Sequence, residues 1–276
     1  MPTKSQLVLP PQSLARCIAG GVMRDTRMVT LSDTDRLNYF PASPLFSITL
    51  VFEGEIHLSD DITSLEVLRS LPPIPKCLCL APRASPHMSW SPGPVMAMTL
   101  AFFPDAWLRL GGALDGRPPP DIMPALQLLQ ANPLETAWPK FWQAMTQVWA
   151  ASDGAALSRD WRGSDRIKDW TYHVLAQLAR SGAGRSLRSA QRRLHRWTGQ
   201  NRKALEFYAK VEDLHRLSKQ EPHASPAQLA ADAGFADQSH MGRALKRATG
   251  FSPVQLNHMI STEESFWCYR LLGERF

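Results

Sequence analysis

Residues 229–253 read LAADAGFADQSHMGRALKRATGFSP, and this stretch predicts two short helices joined by a tight turn. Ser225 precedes it as a helix N-cap, and Pro226 occupies the first helical position, where its missing N–H costs no hydrogen bond. Gly234 ends the first helix, because helices often close on a residue with positive φ. The stretch is therefore interpreted as a helix–turn–helix unit.

The second helix of this unit has an apolar face and a polar face. Phe235 fills the corner between the helices, Asp237 caps the second helix and Gly250 ends it. Small and apolar residues recur at helical spacing on the inner face: Met241, Ala244, Leu245 and Ala248. The outer face carries Gln238, Ser239, Gly242, Arg243 and Lys246. Ser252-Pro253 then opens a further helix.

The same pattern occurs twice in the chain. When residues 178–199 are offset by 51 residues onto 229–250, seven of the 22 positions are identical. Chance would give about one or two identities, since no residue type greatly exceeds a tenth of a typical chain. Two copies are too few for a solenoid. The sequence therefore predicts one small motif that is used twice.

The first copy follows the same plan as the second. Ser186 caps a helix and Gly199 ends it. The residues predicted to face inward are Leu187, Ala190, Leu194 and Trp197. The opposite face carries Arg188, Gln191, Arg192 and His195. The turn before this helix, residues 182–185, lacks the Gly-Phe corner of the second copy.

The charge of the chain is concentrated in this region. The 276 residues hold 31 Lys and Arg against 25 Asp and Glu, a formal net charge of +6. Residues 181–260 hold 13 basic and six acidic side chains, which leaves 18 basic and 19 acidic side chains elsewhere. A basic segment on a neutral chain indicates a polyanionic partner, although a solvated basic surface would give the same balance.

The outward faces of both helices suit double-stranded DNA. Arginine can donate twice to guanine, and glutamine can pair with adenine, in a major groove that admits a helix. Phosphate contacts are expected from four further side chains: Ser189, Arg196, Lys246 and Arg247. An ordinary Arg-rich helix in solvent would also look like this, but two superposable copies in one basic region favour DNA.

Residues 178–256 resemble the DNA-binding domain of the AraC/XylS family of bacterial transcription regulators. The residues that carry the resemblance are the string 229–246, the exit Thr249-Gly-Phe-Ser-Pro253 and, in the first copy, residues 186–199. Met241 and Leu245 stand where the family usually has phenylalanine, and Arg202 where proline is common. The resemblance implies that residues 203–217 form a long helix that links the two motifs.

The resemblance also assigns roles to individual residues. It places base reading on Arg188, Gln191, Arg192, Gln238, Ser239 and Arg243. The residues that shape the motifs are Ser186, Gly199, Gly234, Phe235, Asp237, Gly250 and Pro253.

The N-terminal 120 residues are rich in proline and in short apolar runs. Residues 45–52 and 55–58 predict two strands joined by a tight turn, and residues 76–81 and 95–103 predict two more. Such a pattern favours an antiparallel β-sandwich or barrel. Residues 101–112 resemble, more weakly, the cupin-like sensor domains joined to such DNA-binding domains, which would hold an effector or a dimer interface.

A helical pattern begins near residue 121. The apolar residues at helical spacing are Leu126, Leu129, Trp138, Phe141, Trp142, Met145, Val148 and Trp149. Asn132-Pro133 divides them into two helices, Asp153-Gly154 marks a loop, and another helix starts near Asp165. The fold class is thus α+β. We expect a β-rich sensor domain at 1–120, a helical connector at 121–165, the double helix–turn–helix domain at 166–260 and a packed, helical tail at 261–276.

Other chemistry is not expected. His57 and His87 lie far from any metal-binding pattern and are interpreted as structural or surface histidines, and Asp60-Asp61 as a helix cap. Cys77 and Cys79 share one face of a strand and are predicted to be buried and reduced. No nucleophile elbow, phosphate loop or paired catalytic carboxylate is visible, so no cofactor and no enzymatic activity are expected. A signal peptide and a membrane span are not expected either.

The sequence therefore predicts a cytoplasmic, nucleoid-associated transcription regulator that binds double-stranded DNA. The sequence leaves open whether the protein binds a small-molecule effector and whether it forms a homodimer. It also leaves open contact with RNA polymerase, which is expected if the protein is an activator. The alternatives are a DNA-binding protein whose N-terminal domain is an enzyme and one whose N-terminal domain only binds other proteins.

Overall fold

The computed structural model describes residues 4–131, 133–152, 166–181, 186–221 and 223–273. Its strands are β1 Lys4–Val8, β2 Ile18–Asp25, β3 Leu37–Phe40, β4 Phe46–Glu53, β5 His57–Ser59, β6 Cys77–Leu80, β7 His87–Trp90 and β8 Met96–Phe102. Its helices are α1 Leu65–Ser70, α2 Pro104–Arg109, α3 Met123–Ala131, α4 Leu134–Ala151, α5 Ile167–Arg180, α6 Leu187–Thr198, α7 Arg202–Gln220, α8 Pro226–Asp232, α9 Gln238–Thr249, α10 Pro253–Thr262 and α11 Trp267–Gly273. The predicted α+β class, with strands first and helices after, is confirmed.

The described strands form two antiparallel sheets. One has the order β1-β2-β8-β4-β6, and the other has the order β3-β7-β5. The predicted tight hairpin of residues 45–58 is wrong, because β4 and β5 lie in different sheets. The reason is that β4 already pairs with β6 on one side and β8 on the other, which leaves no free edge. Strand β5 pairs with β7 instead.

The main hydrophobic core joins the sheets to the helices. Phe46 of β4 stacks on Trp107 of α2, with ring centroids 4.9 Å apart. The predicted apolar stripe of the connector lies against the same core, with Phe141 and Trp149 of α4 buried. Trp138 and Trp142 are half-buried. The loop expected at Asp153-Gly154 and the helix start near Asp165 lie outside the described residues, and α5 is described from Ile167.

The two helix–turn–helix units end in matching ways. Gly199 and Gly250 close α6 and α9 with φ of +69° and +87°. Just before each glycine, a threonine hydroxyl donates back into its own helix. Thr198 donates to the carbonyl of Leu194 and Thr249 to that of Leu245, each at 2.8 Å. The repeat in the sequence is therefore also a repeat in hydrogen bonding.

Side-chain caps open these helices. The Ser186 hydroxyl accepts the N–H of Ser189, and the Asp237 carboxylate accepts the N–H of His240. At α10 Ser252 and Gln255, at the third helical position, form a capping box, and Pro253 occupies the first helical position. The turn at residues 182–185 lies outside the described residues.

Three local predictions are wrong. Leu187 is 77% exposed, because it stands at the first position of α6, ahead of the turns that pack on the core. Asp60-Asp61 does not cap α1, whose N-cap is Ser64. Asp61 instead accepts the N–H of Thr63, and Asp60 pairs with Arg83. Cys77 and Cys79 are free thiols, as predicted, but they are half-buried rather than buried.

The C-terminal tail packs on the β-rich domain. Trp267 donates its indole N–H to the Asn38 side chain on β3 at 2.8 Å, and the Arg24 guanidinium of β2 lies 5.0 Å from the Trp267 ring centroid. Phe266 stacks on Tyr39, with centroids 4.8 Å apart. The tail therefore fastens the helical half of the chain to the sheets. None of the helices in the described part of the chain is long and apolar enough to cross a membrane.

Candidate nucleic-acid interface

Helix α6 presents a polar, positively charged face to solvent. Arg188, Gln191 and Arg192 are all exposed, and Ser189 is half-buried one position after the first of them. Leu194, on the opposite face, is 2% exposed. The N-terminal half of the helix, which in helix–turn–helix proteins contacts base edges, is thus free to meet a partner.

Helix α9 presents a second face of the same kind. Gln238, Ser239 and Arg243 are exposed, whereas Met241 and Ala244 are buried against α8 and Phe235. No described residue lies within 4 Å of a methyl group placed on Gly242. The outward face of α9 is therefore open along its length, with fewer long side chains than that of α6.

Of the residues predicted to contact phosphate, Arg196, Lys246 and Arg247 are exposed and Ser189 is half-exposed. The Arg247 guanidinium lies 3.8 Å from the centroid of the Phe207 ring on the linking helix α7. A cation over an aromatic face is held in place while its N–H groups still point outward. Arg247 is thus a positioned charge, unlike a freely mobile surface arginine.

The C-terminal ends of both helices rest on the N-terminal domain. The Ala42 N–H donates to the Ala248 carbonyl at 2.7 Å, so the end of α9 is joined to the β-rich domain by a backbone hydrogen bond. Leu114 lies over Gly199 at the end of α6, where an added methyl group would come within 2.8 Å of it. These contacts fix how the two basic faces are presented relative to the sheets.

The comparisons with known proteins agree with this geometry. A family model described as a helix-turn-helix domain, of the AraC type, matches residues 181–259. Residues 181–259 are an AraC-type helix-turn-helix domain. The chain is therefore a DNA-binding regulator. No curated protein sequence matches the chain significantly.

Solved structures of ToxT from Vibrio cholerae show a distant similarity to the whole chain. A 1.65 Å structure is 11% identical, covers 94% of this chain and 99% of its own, and has a TM-score of 0.39. The wild-type protein of strain SCE256 bound to an unsaturated fatty acid is 12% identical, covers 81% and 94%, and has a TM-score of 0.36. ToxT of strain O395 is 12% identical, covers 82% of this chain and 95% of its own, and has a TM-score of 0.37.

Asp105 joins helix α5 to the β-rich half of the chain, and sequence analysis missed it. The Asp105 carboxylate accepts two hydrogen bonds from the fully buried guanidinium of Arg16. It also accepts the indole N–H of Trp170 on α5 at 2.9 Å. One carboxylate thus connects the residues before β2, helix α2 and helix α5, which precedes the AraC-type domain. The only signal in the sequence is an acidic residue inside the apolar stretch 101–112.

Asp213 joins helix α7 of the AraC-type domain to helix α5, which precedes that domain. Its carboxylate lies on α7 and pairs with Arg166 at 3.0 Å, Lys168 at 2.5 Å and Arg216 at 2.8 Å. Burial raises the pKa of Asp213, but hydrogen bonds from Lys168 and Arg216 outweigh it and hold the pKa below its usual value. The neighbouring Glu212 accepts the backbone N–H groups of residues 167 and 168 and so caps α5. The linking helix is thereby tied to the first unit.

A largely apolar cavity of about 380 Å³ lies between the sheets and the helices. Leu78, Leu80 and Thr49 line it from the strands. Tyr208 of α7 and Trp267 of α11 line it from the helical side. The cavity therefore touches both halves of the chain. Among the described residues, no three His, Cys, Asp or Glu side chains are grouped as a metal site would need.

Two arginines, Arg24 and Arg83, line this cavity, and Arg83 is ion-paired with Asp60. Arg24 is 5% exposed. One terminal nitrogen, Nη2, donates to the Asp35 carbonyl at 3.0 Å and lies 3.4 Å from the Glu264 carboxylate. The other, Nη1, has no hydrogen-bond partner among the described residues. Burial lowers the pKa of Arg24 to about 10, so the group stays charged at neutral pH.

Proposed function

We propose that the protein is a sequence-specific transcription regulator that reads two successive major-groove segments with α6 and α9. The observation that carries the proposal is the exposure of all six side chains predicted to read bases, on helices whose opposite faces are buried. A recognition helix needs this combination, because the groove-facing side chains must be free while the helix itself is held still.

The two helices contribute unequally. Helix α6 offers Arg188, Gln191 and Arg192, three long side chains that can each make two hydrogen bonds to a base. Helix α9 offers Arg243 and the shorter Ser239, and Gln238 stands at its first position. Helix α9 therefore contributes more through backbone contacts and DNA shape than α6 does. Ser189, Arg196, Lys246 and Arg247 bind phosphates on either side.

The N-terminal domain controls this activity through the cavity between the two halves. A ligand there would touch Tyr208 on the helix that links the two units, and Trp267 on the tail. The apolar lining favours a mainly apolar small molecule. The unpaired Nη1 of Arg24 favours a ligand with one strong hydrogen-bond acceptor, since a buried donor without a partner is costly. Thermal shift of the full chain with matched acids, amides and hydrocarbons tests this. Acids should raise the melting temperature most, and Arg24→Gln should remove their advantage.

Selection of bound sequences from random DNA by the full chain tests the proposed function itself. Recognition helices one turn apart, about 34 Å, imply an asymmetric site of roughly 15–20 base pairs for one protomer. Recovery of such a site supports the proposal, and recovery of sequences without a common pattern overturns it. Lys140→Ala is the control variant and should select the same site as the wild type. Lys140 is an exposed cation on α4, outside the DNA-binding domain.

A further inference from the structure

Cys77 and Cys79 lie on the same face of an edge strand, at the margin of the main hydrophobic core. Strand β6 ends the five-stranded sheet, and in the described residues its strand partner is β4. Leu78 and Leu80 point into the large cavity, so the alternating cysteines point the other way. Both thiols are half-buried, and both line the same cleft.

The spacing of this pair suits a bridging atom better than a direct disulfide. Residues i and i+2 of a strand have Cα atoms roughly 6.6 Å apart, from a rise of about 3.3 Å per residue. That separation is near the upper end of what a disulfide usually spans, about 6.8 Å. A trivalent centre with two sulfur bonds of about 2.3 Å at an angle near 100° holds its sulfurs about 3.5 Å apart. A disulfide needs them about 2.05 Å apart, so the bridging atom asks for less closure of the strand.

A cleft opens over the two thiols. Its walls are the thiols themselves, residues 115–118 and Met123 at the start of α3. No third metal-binding side chain joins the pair in a cluster, as far as the described residues go. The protein therefore offers two sulfur ligands and an open cleft beside them. This arrangement fits a trivalent atom that makes two bonds to the thiols and a third bond to an organic group of its own.

We propose that Cys77 and Cys79 form a dithiol site for trivalent arsenic compounds that carry one organic substituent. With an arsenous oxide R–As=O, both sulfurs bond to arsenic, the As=O bond breaks, and the two thiol protons leave with its oxygen as water. Arsenic and sulfur keep their oxidation states, so the step needs no oxidant or reductant. The other two cysteines do not compete, since Cys17 and Cys268 are buried and burial raises the pKa of each thiol.

The cleft is connected to the first recognition helix. Residues 113–118 form a tight loop, in which the Ala113 N–H donates to the Arg117 carbonyl at 3.0 Å and the Gly116 N–H donates to the Ala113 carbonyl at 3.1 Å. One side of this loop lines the cleft, and Leu114 lies against Gly199 at the end of α6. An occupant of the cleft displaces the loop and, through Leu114, helix α6. This regulation rests on the proposed DNA binding, whereas the arsenical site does not.

Phenylarsine oxide and the full chain test the site by intact mass spectrometry under reducing conditions. We expect one phenylarsenic group per chain in the wild type, with the loss of one water. Cys77→Ser and Cys79→Ser should each abolish the stable adduct, because a single thiol cannot chelate. The thermal melting curve of each variant shows that it is folded. An unmodified wild type, or an adduct that persists in the double variant with both Cys77→Ser and Cys79→Ser, overturns the site.

Fluorescence anisotropy on the selected DNA site tests the coupling. Phenylarsine oxide should change the Kd of the wild type by about fivefold or more and leave the double variant unchanged. A fully modified wild type with an unaltered Kd overturns the coupling. Absence of specific DNA binding in every sample, with the adduct intact, overturns the proposed function and supports the arsenical site.

Discussion

Removal of the Asp105 carboxylate should weaken the attachment of helix α5 to the β-rich half of the chain. Asp105→Ala leaves Arg16, whose side chain is fully buried, without its ion pair and Trp170 without its indole acceptor. Breaking a buried pair from one side costs roughly 3–5 kcal/mol. Asp105→Asn keeps an acceptor oxygen for Trp170 but loses the charge and one of the two acceptors of Arg16, so we expect a smaller loss of about 2 kcal/mol.

Urea unfolding of the full chain measures both losses. A double-mutant cycle with Trp170→Phe isolates the indole bond, which should give a coupling free energy of about 1.5–3 kcal/mol, the range for hydrogen bonds to charged groups. Asp121→Ala is the control, because Asp121 is exposed. If Asp105→Ala unfolds within 1 kcal/mol of the wild type, as the control should, the role assigned to Asp105 is refuted.

Three further predictions concern recognition, helix stability and pH. Arg192→Ala should reduce specific affinity about tenfold or more and relax preference at one or two base pairs, whereas Lys246→Ala should weaken all sequences equally and lower the salt slope by about 1. Binding to matched and single-mismatch sites decides this, and the reverse pattern contradicts it. Gly242→Ala should stabilise α9 by about 0.5–1 kcal/mol, since the site is open; a lower melting temperature would contradict it. Burial and the charge of Arg83 lower the pKa of His87 from 6.5 to about 3, so neutral His87 contributes stability above pH 6.5 that is lost as the pH falls toward 3. Urea midpoints at pH 7 and 5 should differ less in His87→Gln than in the wild type, and equal differences would contradict the assignment.

The local features of the DNA-binding domain could be predicted from sequence. Capping, glycine termination and helical periodicity are set by residues within a few positions of one another, as at Ser186 and Gly199. The 51-residue repeat is a second, independent indication that the chain contains two helix–turn–helix units. The roles of the six base-reading residues stay predictions, although the structure places all of them in solvent.

The pairing of the strands could not be predicted in the same way. A run such as residues 45–58 shows where strands begin and end, but the choice of partner depends on which edges are already taken. Four strands, β1, β2, β3 and β7, were not anticipated at all. Strand β2 contains Gly20 and Gly21, which weaken a strand signal.

The attachment between the two halves was also hidden from the sequence. Asp105 and Trp170 are 65 residues apart, and Asn38 and Trp267 are 229 residues apart. Nothing in the local pattern of either residue shows that its polar group will be buried against the other. These contacts join α5 and the C-terminal tail, the two segments that flank the AraC-type domain, to the N-terminal half of the chain.

Hydroxyl-radical footprinting of the full chain on its selected site tests the central claim most directly. Two recognition helices on one protomer should protect two backbone segments about 10 base pairs apart on one face of the duplex. Arg188→Ala with Arg192→Ala should weaken the protection of one segment and leave the other. Protection of a single segment, or the same weak protection on DNA of unrelated sequence, would contradict the claim.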